Sequence, residues 1–360
     1  MWIDPYPTRL PKIEDMARNK SIDRPAPAAH LRQSTNPDWL ELYTPGGLPL
    51  EPIPGAGWVN RVLWAALFRA LKEFNPDDDC FIVVGKPSAL ALQVLSRHPK
   101  SEVLYDAMDD FPSFYDGISR WSMMHKERIL AKRAHWIAAS STRLASRLSK
   151  YASKLLIARN ACDSDLPAPT MGRNTRPRST TRQILGYVGT IGAWFDWDLV
   201  IRLAQSNPDH LIRLIGPMYN PPGVPLPQNI ELLPACNHSD AIGHMQTFAA
   251  GLIPFKITTL TASVDPIKYY EYRALGLPVI STRFGEMSLR DNESGVFLLD
   301  ASSDLAITTQ LAMSHIDTAS SIEHFRQQNS WESRFETAYA SLEVLKPSVP
   351  AGPVSSQIGG

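Results

Sequence analysis

The segment ILGYVGTIGAWFDWDLVIRLA, residues 184–204, reads in succession as a buried strand, a glycine turn and a helix. The opening run is apolar and short, as a strand covered on both faces requires. Gly189, Thr190, Ile191 and Gly192 turn the chain, and a helix begins near Phe195–Asp196. Glycines in such a turn let backbone N–H groups approach a phosphate, and a helix N-terminus adds partial positive charge. The same spacing also serves as a plain turn with no ligand, so the turn alone leaves both readings open.

Outward from this unit the same rhythm continues. Strands are expected at 80–84, 102–106, 135–139 and 154–158 in the first half, separated by helical stretches at 57–74, 88–97, 119–133 and 141–151. In the second half they are expected at 184–189, 211–216, 229–233, 250–254, 277–281 and 296–299, with a long helix near 318–345. Continuous apolar strands alternating with helices predict parallel sheets with both faces covered. Residues 163–183 interrupt the rhythm with three prolines and four arginines, a linker composition that divides two α/β units of similar size. The expected organisation is a first domain over 1–162, a linker over 163–183, a second domain over 184–345 and a disordered tail over 346–360. Two facing doubly wound units leave a cleft at the strand C-termini, where ligands of such sheets sit.

Composition narrows the function classes. The 360 residues are 44% apolar and 20% charged, enough for packed cores. Lys plus Arg equals Asp plus Glu at 36 each, so net charge makes no case for a nucleic-acid partner. Three cysteines, Cys80, Cys162 and Cys236, are too few and too scattered for a disulfide framework or a zinc site. No apolar run reaches the ~18 residues that span a bilayer, and the N-terminus lacks the pattern of a secretory signal. A cytoplasmic protein is expected, with peripheral attachment at the inner face of the membrane as an extension.

The second informative stretch is SVDPIKYYEYRALGLPVIST, residues 263–282. Asp265 suits a helix N-cap and Pro266 the first turn. Lys268 and Glu271, three apart, share a helix face. The lysine can neutralise a diphosphate and the glutamate can accept hydrogen bonds from a ribose diol. For those two residues alone, a surface Lys–Glu pair on an ordinary helix is the favoured reading.

Taken together, GYVGTIGAWFDWDLV, NIELLPACNHSDAIGHM, GLIPF and DPIKYYEYRALGLPVIST resemble the donor-binding half of bacterial GT-B glycosyltransferases of surface-polysaccharide assembly. The resemblance covers roughly 184–345 and extends more weakly over 1–160. It implies an α/β, GT-B architecture of two Rossmann-like domains facing a cleft. It implies transfer of a sugar from a nucleotide diphosphate, UDP in preference to GDP, to a hydroxyl of a growing saccharide or lipid-linked oligosaccharide. Gly189, Thr190 and Gly192 would lie beside the pyrophosphate with Lys268, Glu271 would hold the ribose, and the loop at Ala235–His238, including Asn237, the base. Asp265 and Tyr270 would lie near the donor sugar. No cofactor or metal is implied, because a lysine and helix dipoles can stabilise the departing diphosphate. Three departures thin the site: Ser263 stands where the family carries an acid eight residues before Glu271, Met218-Tyr219-Asn220 stand where relatives often carry a basic residue, and Ala249 or Ala250 stands where an acid is common just before GLIPF. A nucleotide-sugar epimerase of the same fold and an inactive donor-binding scaffold subunit are the alternative readings.

On the acceptor side, Asp106, Asp109 and Asp110 cluster at the end of an expected strand. Asp109 and Asp106 are the candidate general bases; the other reading is an acidic cluster that only stabilises a helix dipole. Residues 120–159 hold ten basic side chains against one acid, Glu127. With Trp121, Met123, Met124 and Trp136 interleaved, the segment fits either a solvated basic face or an anionic membrane surface. Trp194 and Trp197 are expected in the core or a lid, and Trp331 as the anchor of the last helix. WIDP (2–5) reads as the end of what is a second strand in the family. A missing first strand and helix are therefore expected in the first domain, which would leave the sheet without its central neighbour.

Overall fold

The computed structural model describes residues 1–4, 39–48, 53–76, 80–152, 154–167 and 182–342. Most of the expected linker, the tail beyond 342 and much of the proline-rich start lie outside the described residues.

In the first half β1 (Trp2–Ile3) pairs in parallel with β2 (Leu42–Tyr43) as a separate two-stranded sheet. A second sheet has the order β3 (Phe81–Val84), β4 (Glu102–Ala107), β5 (Trp136–Ala139), β6 (Lys154–Ile157), all parallel. Among the described residues no strand pairs with the outer side of β3. Ile3 and Tyr43 nevertheless pack on Trp64, Leu67, Leu90 and Val94, the cluster that also receives Ile82 of β3. The crossovers are α1 (Ala65–Phe74), α2 (Ala89–Arg97), α3 (Gly117–Arg133) and α4 (Thr142–Leu148). The expected helix at 57–74 opens instead as a 3-10 turn over Ala56–Arg61 before α1 begins.

The second half is a six-stranded parallel sheet. Its strands are β7 (Ile184–Val188), β8 (Leu211–Ile215), β9 (Ile230–Leu233), β10 (Ala250–Ile253), β11 (Val279–Thr282) and β12 (Val296–Leu299). Their spatial order is 12-11-10-7-8-9. The order reverses at β7, a doubly wound switch point with the 184–188 strand at its centre. Alternate residues of the central strands feed two cores. Val188, Ile215, Ile253 and Val279 meet α6 (His238–Met245) and α7 (Ile267–Ala274) on one face. Leu185, Tyr187, Leu214 and Leu252 meet α5 (Trp197–Ser206) and α8 (Leu305–Ser314) on the other.

Helix starts follow side-chain caps. Ser88, Ser141, Asp196, Asn237 and Asp304 each accept an N–H from the first turn of the following helix. The expected long helix near 318–345 is two helices, α9 (Ala319–Asn329) and α10 (Trp331–Leu342). Ser330 breaks it with an extended backbone that bridges to Cys162, and its Oγ accepts the Ser333 N–H to start the second helix. The Trp331 N–H donates to the Cys162 carbonyl, so α10 starts against the chain that leaves the first sheet.

The turns after β7 and β8 touch through backbone. Gly216 has φ 143°, and a Cβ there would lie 2.1 Å from the Gly189 carbonyl oxygen. Gly216→Ala is therefore expected to destabilise the chain by about 2–4 kcal/mol through combined strain and overpacking, read by urea unfolding.

Candidate functional site

The site is built on the C-terminal end of β7. The Gly189 N–H donates to the Ile215 carbonyl and the Ile191 N–H to the Pro217 carbonyl, which ties the turn to the chain after β8. The Thr190 and Gly192 N–H groups have no hydrogen-bond partner among the described residues. The Tyr187 hydroxyl donates to the Thr190 carbonyl at 2.9 Å and fixes the loop from below. The following helix starts at Trp197, and Asp196 caps it by accepting the Leu199 N–H at 3.0 Å. A carboxylate thus already occupies the positive end of α5.

The open helix end belongs to α7. Its N-cap residue is Pro266, without a side-chain cap, where the sequence suggests Asp265. Tyr272 of this helix is fully buried, and its hydroxyl accepts the Val188 N–H at 3.1 Å, one residue before the glycine turn. Lys268 lies four residues before Tyr272 and shares its face, displaced one turn toward the strand C-termini. It is paired with Glu271 at 2.5 Å, the side chains being 20% and 8% exposed. Two free backbone donors on the turn, and an uncapped helix end with an ammonium on α7, are each anion-binding groups.

Asp265 and Tyr270 are placed elsewhere. One Asp265 oxygen takes Arg290 at 2.8 Å; the other takes the Asn160 N–H and the Tyr270 hydroxyl, each at 2.9 Å. Burial, the largest influence, pushes the Asp265 carboxyl up against the pull of Arg290. Both side chains are buried in this junction between the two halves rather than open to a ligand. A second clasp sits beside it. Buried Glu286 accepts the Thr142 N–H at the start of α4 at 2.8 Å and pairs with Arg159 at 2.6 Å.

The aspartates at the end of β4 divide by their partners. Asp110 pairs with Arg147 at 3.3 Å and accepts the Ser263 hydroxyl at 3.5 Å from the second half. Arg147 is held in turn by buried Glu127, which also receives the Tyr105 hydroxyl at 3.0 Å. Asp109 has no such cation among the described residues. Burial, then the charges of Asp110 and Asp106, push its carboxyl up to about 6. Burial alone raises Asp106. Asp109 is thus suited to take a proton near neutral pH.

The chain is similar over both halves to solved structures. Sucrose-phosphate synthase from Thermosynechococcus elongatus superposes with TM-score 0.63 at 14% identity, covering 86% of each chain. Anabaena HepE, solved in complex with UDP and glucose, gives 0.58 at 15% identity over 85% of this chain and 86% of that one. The trehalose 6-phosphate synthase of Burkholderia multivorans gives 0.53 at 12% identity over 80% and 76%. The fold is GT-B. No protein-family model matches the sequence. No curated protein matches it either.

In the GT-B frame, Asn237 is exposed and caps α6 by accepting the Asp240 N–H at 2.8 Å. Next to it, His238 pairs with Asp163 at 3.4 Å. Trp197 is buried and its indole N–H donates to the Asn220 carbonyl, whereas Trp194 lies over Gly192. Several of the ten basic residues of 120–159 are structural: Arg147 and Arg159 as above, and Arg133 on the carbonyls of His98, Pro99 and Ser101. Sequence reasoning missed Arg290 and Glu286 altogether. Their partners lie 25 and 144 residues away, and no local spacing signals such contacts.

A carboxyl that is harder to ionise folded than unfolded weakens the fold above its unfolded pKa. Asp109→Asn is therefore expected to be more stable than the parent at pH 8 in urea unfolding, and the advantage should shrink through pH 6 and vanish near pH 4.

Proposed function

We propose that this chain is a glycosyltransferase that moves a sugar from a nucleoside diphosphate, UDP in preference to GDP, to a hydroxyl of a saccharide or lipid-linked acceptor. The observation that carries the reading is the Tyr272–Val188 hydrogen bond, because it fixes α7 with Lys268 one turn beyond the glycine turn. The donor diphosphate sits between the Thr190 amide and the Lys268 ammonium. Glu271 holds Lys268 in place and accepts from the ribose. Lys268 has protons to spare for phosphate while it keeps Glu271.

The step balances without further reagents. The acceptor oxygen forms a bond to the anomeric carbon, and the bond from that carbon to the diphosphate oxygen breaks. The electron pair leaves with the diphosphate, where Lys268 and the open end of α7 stabilise the charge. The acceptor proton passes to Asp109, which is ionised above about pH 6. Asp106 adds negative charge beside it.

Two measurements test this. In calorimetry Lys268→Ala should bind UDP at least tenfold more weakly than the parent; equal affinity contradicts the site. In a sugar-nucleotide transfer assay Asp109→Asn should lose about 10²–10⁴-fold in rate while still binding UDP. UDP binding by the parent without transfer to any acceptor would favour the scaffold reading, and alteration of the donor alone the epimerase.

A further inference from the structure

The segments that leave the C-terminal ends of the second sheet's strands, with the first turn of α7, carry Lys256, Lys268, Arg283 and Arg290. Three of these are matched by carboxylates. Lys268 is paired with Glu271 at 2.5 Å, Arg283 with Asp291 at 2.9 Å and Arg290 with Asp265 at 2.8 Å. Lys256 makes no ion pair among the described residues.

Its place is fixed through backbone. Lys256 is half-buried and lies three residues beyond the end of β10, the strand beside β7. Its N–H donates to the Trp194 carbonyl at 2.7 Å, and its carbonyl accepts the Thr261 hydroxyl. Trp194 lies over Gly192 at the exit of the glycine turn, and Thr261 is on the segment that leads into α7. The residue is therefore hydrogen-bonded on either side to the runs that form the two elements assigned to the donor diphosphate. Neither bond uses the lysine side chain, so the ammonium can be removed with the loop left tied.

The charge balance of the proposed donor site gives that ammonium a role. Lys268 and Glu271 are together neutral: the pair offers hydrogen-bond donors but no net charge. The Thr190 amide and the open end of α7 carry only partial charges. A nucleoside diphosphate is a multiple anion, and it gains charge as its bond to the sugar breaks. A full positive charge without a carboxylate is the complement that these groups lack. A compact ammonium with three rotatable donors suits phosphate oxygens.

We propose that Lys256 binds the donor diphosphate alongside Lys268 and supplies the net charge that stabilises it as it departs. Lys268, tied to Glu271, then orients the ligand, and Lys256 carries the electrostatic share. The inference rests on the sugar-transfer reading and adds to it a residue from a different element.

The test is calorimetric titration of the full chain with UDP at about 0.05 M and about 0.5 M salt. At low salt Lys256→Gln is expected to bind UDP about tenfold more weakly than the parent, and Lys256→Arg within about threefold of it, since arginine keeps the charge. At high salt the parent and the glutamine variant should converge, because screening removes what the ammonium contributes. Equal affinity of the two at low salt overturns the inference. So does a loss of the same size at both salt concentrations that arginine does not relieve, because a displaced loop would then be the cause. The two readings fail separately. Weaker UDP binding by Lys268→Ala with none lost by Lys256→Gln removes Lys256 and leaves the donor site standing, whereas a parent that does not bind UDP removes the donor site itself.

Discussion

A buried tyrosine hydroxyl sets the geometry of the second half. Tyr272 fills the space beside Gly251 on β10, where a Cβ would come within 2.3 Å of the ring, and its oxygen satisfies the Val188 amide of β7. An unpaired amide at that depth would cost about 1–3 kcal/mol, so the helix cannot slide or rotate freely against the strand ends. Everything proposed for the donor follows from that fixed register. Lys268 and Glu271 ride on the same helix, and the glycine turn is the continuation of the same strand.

The two halves are joined by carboxylates rather than by apolar area alone. Asp265 and Glu286 are both buried, and each draws its partners from both sides of the junction or reaches across it. Breaking such a pair typically costs about 3–5 kcal/mol, because a charge is left without a counterpart. Gly285, with φ 43°, keeps the two loops close: a Cβ there would lie 2.2 Å from the Val264 carbonyl. Ser263, next to Val264, donates its hydroxyl to Asp110, so the acidic cluster meets the loop of the second half.

The strands were legible because parallel strands covered on both faces read as short unbroken apolar runs, and all ten expected runs overlap observed strands. The end of α9 was not legible: Ser330 leaves the helix because of its bridge to Cys162, a contact that no local pattern encodes. Asp265 has the right residue type and place for a cap, but Arg290, Asn160 and Tyr270 compete for its oxygens and win. The aspartate cluster was visible as a cluster. Which member is paired with a cation depends on Arg147, which reaches Asp110 from α4. The basic excess of 120–159 was readable as a sum, yet only the structure separates the arginines that clamp the fold from those that face solvent.

The most direct measurement is a crystal structure of the chain soaked with UDP. The diphosphate is expected between the Thr190 amide and the Lys268 ammonium, with the ribose hydroxyls on Glu271. A diphosphate bound elsewhere, or one that touches neither the β7 turn nor the start of α7, would contradict it.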